Sequence, residues 1–194
     1  KGRLDIDVTV GGRSAHSSTP SAGIDAIDGA RHCLNALKTL DLGVAASPQF
    51  GPATLTPTAI RSGPDATHTL QDTVRMTFDR RLLPGEDPDA AFETIRAALP
   101  SGGPWTVRCA RGPFMYPNDI DDSGALMTLL RDAYRDAGLG DADTVTCNFA
   151  LDAGYFGHRG IESVMLGPGE IDQFHSEEEH VRISDMVDMA RVYR

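Results

Sequence analysis

Leu4-Asp5-Ile6-Asp7-Val8-Thr9-Val10-Gly11-Gly12-Arg13-Ser14-Ala15-His16-Ser17-Ser18-Thr19-Pro20 is the stretch that decides the fold. Leu4, Ile6, Val8 and Val10 alternate with Asp5, Asp7 and Thr9, the period-two pattern of a strand with one buried face. The strand runs into a glycine pair and a histidine flanked by small hydroxyl residues. A Gly-rich corner leaves an imidazole unshielded. His16 therefore reads either as a solvated loop histidine or as a group presented to a ligand. Beyond the corner, Ile24, Ile27, Leu34 and Leu37 recur at helical spacing, which predicts an amphipathic helix over about residues 22–40. Ser18, Thr19 or Ser21 is its candidate cap, with Pro20 in the first turn.

The strand–helix unit then recurs with a hairpin between. Thr54, Thr56 and Thr58 alternate through 53–61, and Pro57 places that strand at a sheet edge. Ser62-Gly63-Pro64-Asp65 is a turn. Val74, Met76 and Phe78 alternate with Arg75, Thr77 and Asp79 in a strand over 73–80. Asp87 and Pro88 open a second helix, whose apolar stripe is Phe92, Ile95 and Leu99. Trp105, Val107 and Cys109 belong to a fourth strand. Strand, helix, strand, strand, helix, strand is the ferredoxin-like βαββαβ order, an α+β fold with a four-stranded antiparallel sheet and two helices on one face. It is assigned to residues 1–112. Its open face and edges call for cover, so a homodimer is expected.

Residues 113–194 read differently. A polar loop leads to a helix over 126–137 closed by Gly138. Thr144–Cys147 and Ser163–Leu166 have the look of short strands, the second a buried parallel one. A helical turn is expected over 152–159, and a last helix capped by Ser184. This pattern is the tail of an α/β domain whose remaining sheet is not in these residues. The chain opens at Lys1, without Met and directly in a strand, so a fragment or excised domain is expected.

Composition narrows the function classes. The 194 residues are 40% hydrophobic and 24% charged, with a net charge of -10. An acidic surface repels phosphate backbones, so a nucleic-acid partner is not expected. No apolar run approaches the roughly 18 residues of a membrane span, and no signal peptide is seen. Cys33, Cys109 and Cys147 are widely spaced in apolar runs, with no C-x-x-C pair. They read as small buried hydrophobes of a reducing cytoplasm.

A second histidine lies in Leu166-Gly167-Pro168-Gly169-Glu170-Ile171-Asp172-Gln173-Phe174-His175-Ser176-Glu177-Glu178-Glu179-His180-Val181. An apolar run ends in a glycine loop and a histidine follows among carboxylates. Active sites collect at such strand ends, and carboxylates can orient a neighbouring imidazole. An acidic surface loop with two incidental histidines fits the same residues. His175 and His180 are five apart, so they do not form a helical metal pair.

Three segments together carry a resemblance. Gly11–Pro20 with Gly23-Ile24-Asp25-Ala26-Ile27, then Phe78-Asp79-Arg80-Arg81-Leu82-Leu83-Pro84-Gly85-Glu86, then Leu166–Val181 are similar, in order, to segments of the acetylornithine deacetylase, succinyl-diaminopimelate desuccinylase and aminoacylase family. The Gly-Pro-Gly-x-Ile-x-Gln-x-His form most resembles acetylornithine deacetylase. The resemblance implies a metallopeptidase-type amidohydrolase that uses two zinc ions, or cobalt, to activate water against the amide of an N-acyl amino acid. It implies that 1–112 is a lid that pairs two subunits and 113–194 the C-terminal part of the catalytic domain. His175 matches a metal ligand, with Glu179 behind it. His16 matches a lid histidine that reaches the partner subunit's site and stabilises the oxyanion, a donor worth about 3 kcal/mol in comparable sites. Arg81 matches a substrate-carboxylate arginine, a task suited to a guanidinium fork. His68 stands where relatives carry a substrate-binding Asn, and Gly169 is expected at the substrate.

The family's other ligands and its glutamate base precede the lid. The chain alone is therefore expected to be inactive and to hold no metal stably, since one histidine does not hold a zinc pair. Asp152 stands where relatives carry T-D-A, or is a helix cap. The alternative function is a non-catalytic dimerisation or binding module.

Overall fold

In the computed structural model, which describes residues 1–194, strand β1 (Gly2–Gly11) lies inside a four-stranded sheet with β2 (Thr54–Gly63), β3 (Thr73–Leu82) and β4 (Thr106–Met115). The order is β2-β3-β1-β4 and every pairing is antiparallel. Helices α1 (Ala26–Lys38) and α2 (Pro88–Ala98) cover one face. This is the expected ferredoxin-like arrangement.

Sequence alternation becomes burial. Leu4, Ile6, Val8 and Val10 of β1 and Val74, Met76, Phe78 and Leu82 of β3 are almost wholly buried against Ala26, Ala30, Cys33 and Leu37 of α1 and Ala91 and Ile95 of α2. Each such large side chain contributes roughly 1.5–3 kcal/mol on leaving water. Helix α1 starts at Ala26 rather than near residue 22. Its cap is Asp25, which accepts from the Ile27 N–H at 2.8 Å; a short 3-10 turn at Pro20–Ala22 absorbs the residues before it. Helix α2 is capped as expected, by Asp87 accepting from Asp89 and Ala90 N–H. Edge strand β2 carries Pro57 beside a register shift. Trp105 falls just before β4, and its ring sits on α1 where Gly29 leaves room for it.

After β4 all regular elements are helical: α3 (Ala125–Asp136), α4 (Ala153–His158) and α5 (Ile183–Val192). Residues 144–147 and 163–166 form no strand and are not fully buried. A parallel strand exists only with a neighbour to share its ladder, and these residues have none within the chain. Helix α5 begins at Ile183, one residue before the expected cap Ser184. This half meets the sheet at the Gly2 end of β1. Tyr155 donates to the Phe114 carbonyl, Tyr116 stacks on His158 with centroids 3.8 Å apart, and the Lys1 amino group donates to the Cys147 carbonyl at 3.1 Å.

One inward-facing position of β3 is not apolar. Arg80 is 1% exposed. Its guanidinium pairs with Glu86, itself 9% exposed, and donates to the Arg81 carbonyl. Glu86 also accepts from the Leu83 N–H at 2.6 Å. The pair ties the end of β3 to the turn before α2.

Two predictions follow from this packing. Glu86→Ala leaves a buried guanidinium without its counter-charge and is expected to cost about 3–5 kcal/mol, read by urea unfolding. Burial pushes the Cys109 thiol up to about 11; at pH 8 its alkylation by iodoacetamide is expected at about one hundredth the rate of a free thiol.

Candidate functional site

Beyond Gly11 the chain leaves β1 and is held on both sides. The Gly12 N–H donates to the Asp72 carbonyl at 2.7 Å, and Arg13 and Ile24 exchange backbone bonds of 2.9 and 2.8 Å. The Ile24 carbonyl lies where a Cβ of residue 12 would stand, so this approach needs glycine. Across the corner, Ser17 N–H donates to the His68 carbonyl and Leu70 N–H to the Ala15 carbonyl, both at 2.8 Å. The Ser14 hydroxyl donates to Asp72 Oδ2 at 2.5 Å and the Thr73 hydroxyl to Oδ1 at 3.0 Å. These two hydroxyls hold the Asp72 carboxyl below the usual carboxylate range.

The corner sets the chemistry of His16. The Ser18 N–H lies 3.2 Å from His16 Nδ1 and the Ser18 hydroxyl 2.7 Å from it. A backbone N–H only donates, so Nδ1 accepts and the ring proton resides on Nε2. In this tautomer the exposed imidazole presents Nε2–H as its donor. His68 shares the corner through its own carbonyl and is also exposed.

Arg81 is elsewhere. It pairs across the sheet with Arg3 and Thr54, eight residues along β3 from Thr73. At about 3.3 Å per residue that separates it from the His16 end by roughly 26 Å. Its guanidinium is held by Asp79, with Nε at 2.7 Å from Oδ1 and Nη2 at 3.1 Å from Oδ2. Nη1 is left out of that fork.

His175 lies in the C-terminal half at φ 62°, the only non-glycine residue with positive φ. Left-handed backbone is uncommon for any residue with a side chain, although histidine adopts it more often than most. Glu179 accepts from the His175 backbone N–H at 2.9 Å. The expected carboxylate behind the ring therefore braces the backbone instead. Phe174 packs on Phe149, which lines a cavity of about 230 Å³ together with Leu130, Tyr134 and Leu166. Gly169 turns the preceding loop at φ 115°. Asp152 makes no side-chain cap of α4.

The structure therefore brings His16 and His68 together and sets Arg81 and His175 apart from them. No group of three or more His, Cys, Asp or Glu converges in a way that would hold a metal ion. The residues of this chain do not by themselves fit a metal centre. The buried Arg80–Glu86 pair beside Arg81 was not anticipated, although the inward parity of residue 80 in the β3 alternation was a legible signal.

The fold and its corner match a known group. The family model of the peptidase dimerisation domain of M20 enzymes matches residues 1–107. The chain belongs to this family. It is 28% identical over 203 residues to acetylornithine deacetylase of Myxococcus xanthus, covering 96% of this chain and 50% of that protein. It is 26% identical over 195 residues to succinyl-diaminopimelate desuccinylase of Helicobacter hepaticus, covering 100% and 48%. The chain spans about half the length of the curated relatives it matches. A tripeptidase structure from Staphylococcus aureus shares the fold, with a TM-score of 0.72 at 22% identity, covering 99% of this chain and 50% of that one. The relationship is thus to M20 metallopeptidases and deacylases.

Because the hydroxyl bonds favour ionised Asp72, its support of the corner persists above the ordinary carboxylate pKa and is lost as pH falls below the lowered one. Asp72→Ala is expected to speed amide exchange at Ser17 and Leu70 several-fold at pH 7, read by hydrogen-exchange NMR, with the β1 core amides unchanged.

Proposed function

We propose that this chain is the lid, residues 1–112, and the C-terminal catalytic segment, residues 113–194, of a metal-dependent amidohydrolase that cleaves N-acyl amino acids in the manner of acetylornithine deacetylase. The observation that carries this reading is the separation of the two histidine sites by the length of the sheet. A catalytic centre using both needs a second protomer.

The free edge of β2 offers the way to supply it. Two β2 strands paired antiparallel about a twofold axis set residue 63 of one against residue 54 of the other. The His16 and His68 corner adjoins the residue-63 end and Arg81 the residue-54 end. Such a homodimer brings one protomer's His16 alongside its partner's Arg81 end, where the 113–194 half is attached. In this reading His175 contributes one ligand to a two-metal centre that belongs chiefly to protein outside these residues.

The chemistry assigned to this chain is specific. His16 is exposed and its Nδ1 is already engaged by Ser18, so Nε2–H is free to donate to a developing oxyanion. His68, on the same corner, is a second donor toward the substrate. Arg81, braced by Asp79, offers Nη1 to the substrate carboxylate. Gly169, with no side chain, lets a substrate approach the loop before His175.

The apolar surface of residues 113–194 supports the same reading. Val145, Ile161, Ile183, Met186 and Val187 are each about half exposed or more, a surface suited to packing against further protein.

In the full-length protein, His16→Ala is expected to lower kcat by roughly 100-fold or more with metal content unchanged. His175→Ala is expected to lower both metal content and kcat. Equal mixtures of the two variants should recover about one quarter of wild-type activity, because only the mixed dimer holds one intact site. Absence of recovery when mixed dimers form would overturn the shared site. The 194-residue chain alone is expected to bind zinc weakly and to show no hydrolysis in calorimetry and turnover assays.

A further inference from the structure

The sheet face opposite the helices is unevenly charged. At the Gly2 end its residues neutralise one another: Arg3 pairs with Asp5 at 2.8 Å and Arg81 with Asp79 at 2.7 Å. Toward the other end, one row across the sheet reads Arg61 on β2, Arg75 on β3, Thr9 on β1 and Arg108 on β4. Arg61 and Arg75 are direct cross-strand partners. Like charges in that relation repel unless a counter-charge lies between them.

No carboxylate lies within ion-pair distance of any of these three arginines. Of its sixteen arginines, ten have a carboxylate within 4 Å. Three of the six that do not are this row. That is notable in a chain of net charge -10, where carboxylates outnumber cations. A groove of about 850 Å³ runs along Arg61 and Arg75, with Thr9, Ser62 and Thr77 on its walls. Its two carboxylates lie on either side of the row, keep their charge, and are turned to hydroxyl donors rather than to the arginines. Asp7 accepts from the Thr77 hydroxyl at 2.9 Å, and Asp72 from Ser14 and Thr73.

We propose that this groove binds a small multivalent oxyanion, a polycarboxylate or a phosphate ester, held between Arg61 and Arg75 with Arg108 at the rim. Adjacent strands are about 4.8 Å apart, so the Arg61 and Arg75 forks converge on one group, while Arg108, two strands beyond Arg75, meets a second about 10 Å away. An anion with two separated oxyanion groups fits this spacing. Asp7 and Asp72 confine it to the arginine row. The site does not depend on the amidohydrolase reading, since it uses none of His16, His68, Arg81 or His175.

The test is isothermal titration of the chain with citrate and, separately, with pyrophosphate at low ionic strength. At least one is expected to bind saturably at one per chain. Binding by citrate alone identifies a polycarboxylate site, and binding by pyrophosphate alone a phosphate site. Arg61→Gln with Arg75→Gln is expected to raise Kd at least tenfold, Arg108→Gln severalfold, and Arg159→Gln not at all. Amide shifts in the unaltered chain are expected to centre on Thr9, Ser62 and Arg75, which decides the matter if the double variant does not fold. No saturable binding of either anion, an unchanged Kd in a folded double variant, or shifts centred elsewhere would overturn the proposal.

Discussion

The central strand imposes the constraint on which everything else rests. Strand β1 is hydrogen-bonded to β3 on one side and β4 on the other along nearly its whole length. Its inward residues are sealed beneath α1 and α2. Ladder and core together make it a stiff spacer. What is attached at its Gly11 end, the corner of His16 and His68, is held far from what is attached at its Gly2 end, the Arg81 turn and the C-terminal half. No side-chain motion closes roughly 26 Å.

Each end is made rigid by different physics. At the Gly11 end the corner is exposed, so packing does little; backbone hydrogen bonds to His68, Leu70 and Asp72 and the Asp72 carboxylate hold it. At the Gly2 end a buried ion pair does the holding. Arg80 pairs with Glu86 and donates to the Arg81 carbonyl, Glu86 accepts from the Leu83 N–H, and only Arg80 Nε is left without a partner. A buried charge pair adds little net stability, but it penalises any arrangement that separates its members. Here that favours one path for the backbone on either side of Arg81. The aromatic group of Phe114, Tyr116, Tyr155 and His158 then seats the following half against the same end.

Much of this was legible in the residues. Alternation in 4–10 and 73–80, Pro57 at an edge, and Asp87-Pro88 before a helical stripe each report local geometry, and the structure agrees at each. The start of α1 falls at Asp25 because, of the residues that could cap it, only Asp25 is positioned to bond a free N–H of the first turn; α5 starts one residue before Ser184 with no side-chain cap. The segments 144–147 and 163–166 read as strands from their residue types, but residue type reports local tendency, whereas a strand also requires a neighbour. Glu179 was expected behind the imidazole of His175 and holds its backbone instead; proximity in sequence does not say which atom a carboxylate reaches.

Sequence alone determined the order of strands and helices, which faces of them are apolar, and the small polar corner in which His16 sits, because these depend on residues near one another along the chain. Tertiary structure decided which titratable groups share a location, that Arg80 is buried and paired, that Arg61, Arg75 and Arg108 stand in one row, and that His175 occupies a left-handed conformation. Those outcomes depend on strand register and on contacts between residues far apart in the chain. Register is set only when the whole sheet closes on its core.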